Sequence, residues 1–113
     1  METTSYFYVL RCKDGTLYGG YTTDLDRRLK EHNTGVGAKY TRPSYRRPAQ
    51  MVYAEAHASR SKATKAEAAF KKLSRKYKER YLKNEGVQIP FKKTDPRIVV
   101  DKKELTDADA KEL

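Results

Sequence analysis

The turn Lys13-Asp14-Gly15 constrains this chain more than any other stretch, because it sets the register of a hairpin. "SYFYVLRC" (5–12) and "TLYGGYT" (16–22) are rich in aromatic and branched residues and read as two strands joined through it. Two closures are open. A two-residue turn at Asp14-Gly15 pairs Arg11 with Tyr18 and puts Tyr8 and Tyr18 on opposite faces of the hairpin. A three-residue loop with Gly15 in the left-handed region pairs Cys12 with Thr16 and Leu10 with Tyr18. Tyr8 is then the diagonal neighbour of Tyr18 on one face, roughly 7–8 Å away. One residue of register separates the two outcomes, and the turn alone does not choose.

The next segment favours the shared face. "TTDLDRRLKEHNTG" has the marks of a short helix, with Thr23 as N-cap, Asp24 and Asp26 in the first turn and Gly35 beyond its end. Leu25 and Leu29 form its apolar side. At about 100° per residue, Arg28 and His32 fall about 60° and 20° from Leu25, flanking the buried stripe, whereas Arg27 faces solvent. "GVGAKYTRPSYRRP" (35–48) has no period and reads as a basic loop, and "AQMVYAEA" (49–56) as a third strand. A longer helix starts near Ser61, with Ala63, Ala66, Phe70, Leu73 and Tyr77 as its apolar stripe. Ser74 is a candidate break that would make "SRKYKERYLKN" a separate helix. Glu67, about 40° round from Ala63, also borders the stripe. The expected architecture is an α/β layer fold with a small antiparallel sheet and the order β-β-α-β-α-α. Residues 1–84 form its domain, and residues 85–113 an extension ending in a flexible acidic tail.

The charge of the chain narrows its partners. Its 113 residues carry a formal net charge of +10, although the last thirteen, Asp101 to Leu113, hold five acids against three lysines. A body that basic suits a polyanion. No apolar run approaches the ~20 residues of a membrane span, so a membrane is not the expected partner. Cys12 is the single cysteine, which excludes an intrachain disulfide, and "METTSY" lacks the features of a secretory signal. The expected location is the cytoplasm. Nine tyrosines stand against three phenylalanines and no tryptophan. Tyrosine brings both a stacking ring and a hydroxyl, which suits nucleic acid, although a single tyrosine more often fills a half-buried strand position.

Each candidate residue also has an ordinary explanation. Arg28 would serve as a solvated cation, His32 as a partner for the helix dipole, and Glu67 as the i,i+4 partner of Lys71. Gly19 and Gly20 would simply relieve a twisted strand. The combination is less ordinary. Two tyrosines, an arginine, a histidine and a carboxylate converging on one edge of a core are a catalytic assortment.

Tyr8 within "FYVL", then "LYGGYTTDLDRRLKEHNTG", then "KAEAAFKKLSR" resemble the GIY-YIG nuclease superfamily, and most of all its small single-domain bacterial members. The resemblance covers roughly residues 5–82. Phe7-Tyr8 stands where Ile-Tyr is usual, without the preceding glycine, and Tyr-Gly-Gly replaces Tyr-Ile-Gly. It implies a three-stranded antiparallel sheet flanked by helices, with phosphodiester hydrolysis at one edge. By position it implies Tyr8 and Tyr18 as the motif tyrosines, Arg28 and His32 as the helix pair, and Glu67 as the metal carboxylate.

These types match the reaction. One Mg²⁺ or Mn²⁺ on Glu67 would act as a Lewis acid, Arg28 would fork two phosphate oxygens, and Tyr8 would be the base, with His32 taking its proton. Tyr18 would orient the phosphate or the water. Arg27, Lys39, Tyr40, Arg42, Arg46 and Arg47 are the expected nucleic-acid contacts. The expected function is a metal-dependent endonuclease acting on DNA in repair, recombination or DNA processing. It would work as a monomer or weak dimer, with specificity open to a protein partner. The alternative is a non-catalytic nucleic-acid-binding module, in which the same cations hold phosphates and the tyrosines stack bases.

Overall fold

A computed structural model describes residues 3–104. Along the chain run β1 (Ser5–Arg11), β2 (Leu17–Thr22), α1 (Leu25–Asn33), short 3-10 turns at Lys39–Thr41 and Ser44–Arg46, β3 (Gln50–His57), α2 (Arg60–Lys71), α3 (Arg75–Asn84) and β4 (Ile98–Asp101). The hairpin closes through the three-residue loop. Cys12 N–H donates to the Thr16 carbonyl at 2.8 Å, Gly15 has φ +87°, and Leu10 stands opposite Tyr18. A positive φ is cheap only for glycine, so Gly15 fixes the register.

That register sorts the core into two layers. Tyr8, Leu10, Cys12, Met51 and Ala54 pack with Leu25 of α1, with Tyr18, Leu29 and Tyr40 alongside. On the other face, Phe7, Val9, Leu17, Val52 and Tyr53 pack against Phe70 of α2 and Leu82 of α3. A register shift between Val9 and Leu10, where β1 meets β3, lets Val52 and Tyr53 share that face despite being adjacent.

The fold class is the expected α/β layer, but the sheet has four strands, in the order β2-β1-β3-β4. β4 runs parallel to β3 and lies within the extension. Only four residues long, with Ile98 and Val100 half-buried and Val99 exposed, it carries too short an alternation to be read between Pro96 and the acidic stretch. The start of that stretch is part of the body. Lys102 N–H donates to the Ala56 carbonyl at 2.8 Å, and its ammonium reaches Glu55 at 3.2 Å and Glu85 at 2.8 Å. The tail from residue 105 lies outside the described residues. Among the described residues, no helix is long and apolar enough to cross a membrane.

Two helix boundaries differ from expectation. The N-cap of α1 is Asp24 rather than Thr23, and its carboxylate accepts from Arg27 N–H at 3.1 Å; Thr23 lies at a bend one residue before it. The long helix does break at Ser74, which caps α3. The break takes Tyr77 off the apolar stripe and leaves it 51% exposed.

Candidate active site

The chemistry gathers around the Tyr8 hydroxyl. Tyr8 lies mid-strand in β1 and His32 on the inner side of α1, and both are fully buried. Their Oη and Nε2 atoms are 2.7 Å apart. Arg28, one turn earlier on α1, donates from Nε to the same Oη at 3.3 Å. On the far side of the imidazole, Nδ1 lies 2.7 Å from Thr41 Oγ1. Thr41 donates its own proton to the Ala38 carbonyl at 3.3 Å, so its oxygen is left to accept from Nδ1–H. Nε2 then holds the lone pair, and Tyr8 donates to it. The result is one directed chain, from Arg28 to Tyr8 to His32 to Thr41.

Burial sets the resting charges. It pushes the Tyr8 phenol up to about 12, against the downward pull of Arg28, and the charges of Tyr18 and Glu67 raise it further. Burial, reinforced by the Arg28 cation, pushes His32 down to about 4. Both groups are therefore neutral near pH 7, and the proton rests on the phenol.

Glycine makes room for this arrangement. A Cβ on Gly20 would stand 2.4 Å from Tyr8 Oη, and one on Gly37 would stand 2.9 Å from His32 Nδ1. Gly20 faces Tyr8 directly across β1 and β2, so its missing side chain is the space that the phenol fills. Gly20 of "YGGY" thus makes the place that the hydroxyl occupies.

Tyr18 shares the Tyr8 face, as the three-residue loop requires. Its ring meets His32 edge-on at 5.6 Å and stacks on Tyr40 at 5.2 Å with only 20° between the planes. From α2, Lys71 Nζ stands 5.4 Å from the Tyr18 ring centroid and 2.6 Å from Glu67 Oε2. All five catalytic candidates, Tyr8, Tyr18, Arg28, His32 and Glu67, therefore lie in one neighbourhood. The ordinary Glu67–Lys71 pair exists within it.

The expected nucleic-acid contacts divide in two. Arg27, Lys39 and Arg42 are exposed. Arg46 is engaged internally, donating to Asp14 and to the Tyr40 carbonyl at 3.1 Å each, with its guanidinium 4.0 Å from the Tyr40 ring centroid. Arg47 donates to the Arg42 carbonyl at 3.2 Å. Both hold the loop in shape, and Tyr40 is committed to Tyr18.

Several residues of the site carry no signal in the sequence. Thr41 and Gly37 lie in an aperiodic loop, and only the need of a buried imidazole for a second partner points to them. Glu31 holds Arg28 Nη1 at 3.1 Å. Asn33 clamps Ala49 with two hydrogen bonds, of 2.6 and 3.1 Å, and so fixes the end of the loop to β3.

A metal would find one carboxylate here. Among the described residues, no three His, Cys, Asp or Glu side chains gather as a metal cage. Glu67, largely buried beside the tyrosines, fits a hard cation that keeps most of its waters and takes further oxygens from a phosphate.

A family model described as the GIY-YIG catalytic domain matches residues 4–82. A UPF0213 protein of Enterococcus faecalis is 67% identical over 82 residues, covering 73% of this chain and 93% of its own. A UPF0213 protein of Bacillus licheniformis is 56% identical over 91 residues, covering 77% and 92%. Among solved structures, the solution NMR structure of an E. faecalis protein has a TM-score of 0.51 at 63% identity, covering 74% of this chain and 90% of that one.

Proposed function

Since the chain belongs to the GIY-YIG family, we propose that it is a metal-dependent endonuclease that hydrolyses phosphodiester bonds in DNA, acting in the cytoplasm in repair, recombination or DNA processing. The observation that carries this reading is the buried chain Arg28–Tyr8–His32–Thr41. A site that only binds nucleic acid has no use for a phenol aligned on a neutral imidazole in the core.

The residues divide the work as follows. Oη is covered in the free protein, so substrate binding must open it to solvent. Water attacking phosphorus then gives its proton to Tyr8 Oη as the phenol passes its own to His32 Nε2, while the scissile P–O bond opposite the water breaks and its alkoxide takes a proton from solvent. The Nδ1–H bond to Thr41 keeps the imidazole in the accepting tautomer, and Arg28 Nε–H holds charge developing on the phenolic oxygen. The outer nitrogens of Arg28 leave Glu31, a half-exposed ion pair that is weakly held, and take the phosphate. Tyr18, stacked on Tyr40 and edge-on to the imidazole, orients the substrate. Glu67 would hold a Mg²⁺ or Mn²⁺ ion, which would supply positive charge to the phosphoryl oxygens and make the phenolate less costly. In the free protein Glu67 does the opposite, its charge raising the Tyr8 pKa.

The test is metal-dependent strand scission. Supercoiled DNA should be nicked with Mg²⁺ and left intact in EDTA. Equal retardation of DNA with and without metal, and no cutting, would leave the binding-module reading in its place.

A further inference from the structure

The outer side of α3 is assembled against its own electrostatics. Its first turn holds Arg75 and Lys76 and no acid, at the end of the helix dipole that disfavours cations. Lys76 and Arg80 are four residues apart and Arg80 and Lys83 three, spacings at which like charges on a helix repel. Buried Leu82 marks the inner side. At ~100° per residue, Lys76, Tyr77, Arg80 and Lys83 all fall on the opposite side. All four are exposed, and the Arg80 guanidinium lies 5.4 Å from the Tyr77 ring centroid. Neighbouring acids do not neutralise the face, because Glu79 is held by Arg75 at 2.6 Å and Glu85 by Lys102 at 2.8 Å.

This face begins beside the site. Arg75 Nη1 donates to the Gly15 carbonyl at 2.6 Å and so fixes the start of α3 on the hairpin turn. Lys71, at the end of α2, touches the Tyr18 ring. Because α3 packs on the sheet face opposite the tyrosines, a polyanion lying over them reaches α3 by passing round the β2 edge, where Lys71 and Arg75 stand.

We propose that Lys76, Arg80 and Lys83, with Tyr77, form a second phosphate-binding track for the nucleic acid on which the tyrosine site acts. The track grips the backbone away from the scissile bond, and phosphate relieves the repulsion that the free helix bears. The proposal rests on the nucleic-acid part of the reading above and not on cleavage. With ten residues at ~1.5 Å each, α3 is about 15 Å long, the rise of about four base pairs.

The experiment compares the wild type with the triple variant Lys76→Gln, Arg80→Gln, Lys83→Gln, measuring binding of duplex DNA of several lengths across a salt series. For long duplexes, the slope of log affinity against log salt should become shallower by about 2 to 3 units. Duplexes too short to reach α3 should bind both proteins alike. The set Lys76→Arg, Arg80→Lys, Lys83→Arg keeps the charge and should keep the wild-type slope, which separates charge loss from damage to the helix. Equal slopes for wild type and glutamine variant on long duplexes would overturn the proposal, as would an equal loss on short and long ones. A wild type that binds with the expected length dependence but never cuts would overturn the nuclease reading and leave the track in place.

Discussion

Tyr8 Oη lies 2.7 Å from His32 Nε2 although 24 residues separate them, and neither ring has any exposed surface. β1 supplies one partner from the middle of the sheet and α1 the other from its last turn. A polar contact that deep is expensive unless it is complete. Here it is complete, because Arg28 and Thr41 satisfy the remaining atoms.

Tyr8→Phe keeps the ring and removes the hydroxyl. It strands Nε2 of a buried imidazole, so the fold should lose about 1–3 kcal/mol. Cleavage should vanish while DNA affinity is retained. A chemical denaturation curve beside a nicking assay checks both.

His32 gives the protein a defined pH response. Its folded-state pKa, lowered to about 4 by burial and by Arg28, lies below the ordinary 6.5. The unfolded chain therefore takes up the proton first as pH falls. The stabilisation is fully present above about 6.5 and drains away down to about 4, a loss on the order of 3 kcal/mol. In denaturant melts, His32→Gln should flatten this part of the profile. Cleavage should hold a plateau from about pH 5 to 8, because a neutral imidazole is the acceptor throughout, and fall below it. A rate rising tenfold per pH unit across that range would mean that Tyr8 ionises to solvent without His32.

Gly20→Ala places a methyl group where the phenol stands, 2.4 Å from Tyr8 Oη. Either Tyr8 or β2 must move, at a cost of about 1–3 kcal/mol. Nicking should collapse with the relay. Gly19→Ala meets Phe7 and Phe70 at 3.2 and 3.3 Å, away from the hydroxyl, and should damage activity much less.

Much of this was legible in the sequence, for physical reasons that differ from one residue to the next. Gly15 after Lys13-Asp14 marks the hairpin turn, but two closures fit it, and only Arg28 and His32 beside the apolar stripe of the next helix favour the three-residue one. Arg28, His32 and Glu67 flank apolar stripes, so helical periodicity alone brings them to the edge of the core. Thr41 and Gly37 answer to a side chain distant along the chain and leave no local pattern. The internal duties of Arg46 and Arg47 depend on 3-10 turns within an aperiodic loop. β4 was hidden because four residues between a proline and an acidic stretch carry less than three periods of alternation.

The extension should matter for stability. Glu55 is 1% exposed, and burial alone would raise its carboxyl, but His57, Lys102 and Tyr53 hold it below the ordinary range. Tyr81 donates to it as well. Lys102→Ala removes the cation and leaves a buried charge short of its partner, a loss of about 3–5 kcal/mol. Because the carboxyl is depressed in the fold, its contribution is present above the unfolded pKa and disappears as pH falls through the folded one. Melts of Lys102→Ala and wild type should therefore converge in acid.

Glu67→Gln tests the assignment of function at a single atom. The shape is kept, and loss of the pair with half-exposed Lys71 costs on the order of 1 kcal/mol. Nicking of supercoiled DNA in Mg²⁺ should fall to background in this variant, while its affinity for the same DNA stays equal to wild type or rises, one repulsive charge having gone. Mg²⁺-dependent nicking at the wild-type rate would show that Glu67 is only the partner of Lys71 and that the catalytic centre has been misplaced.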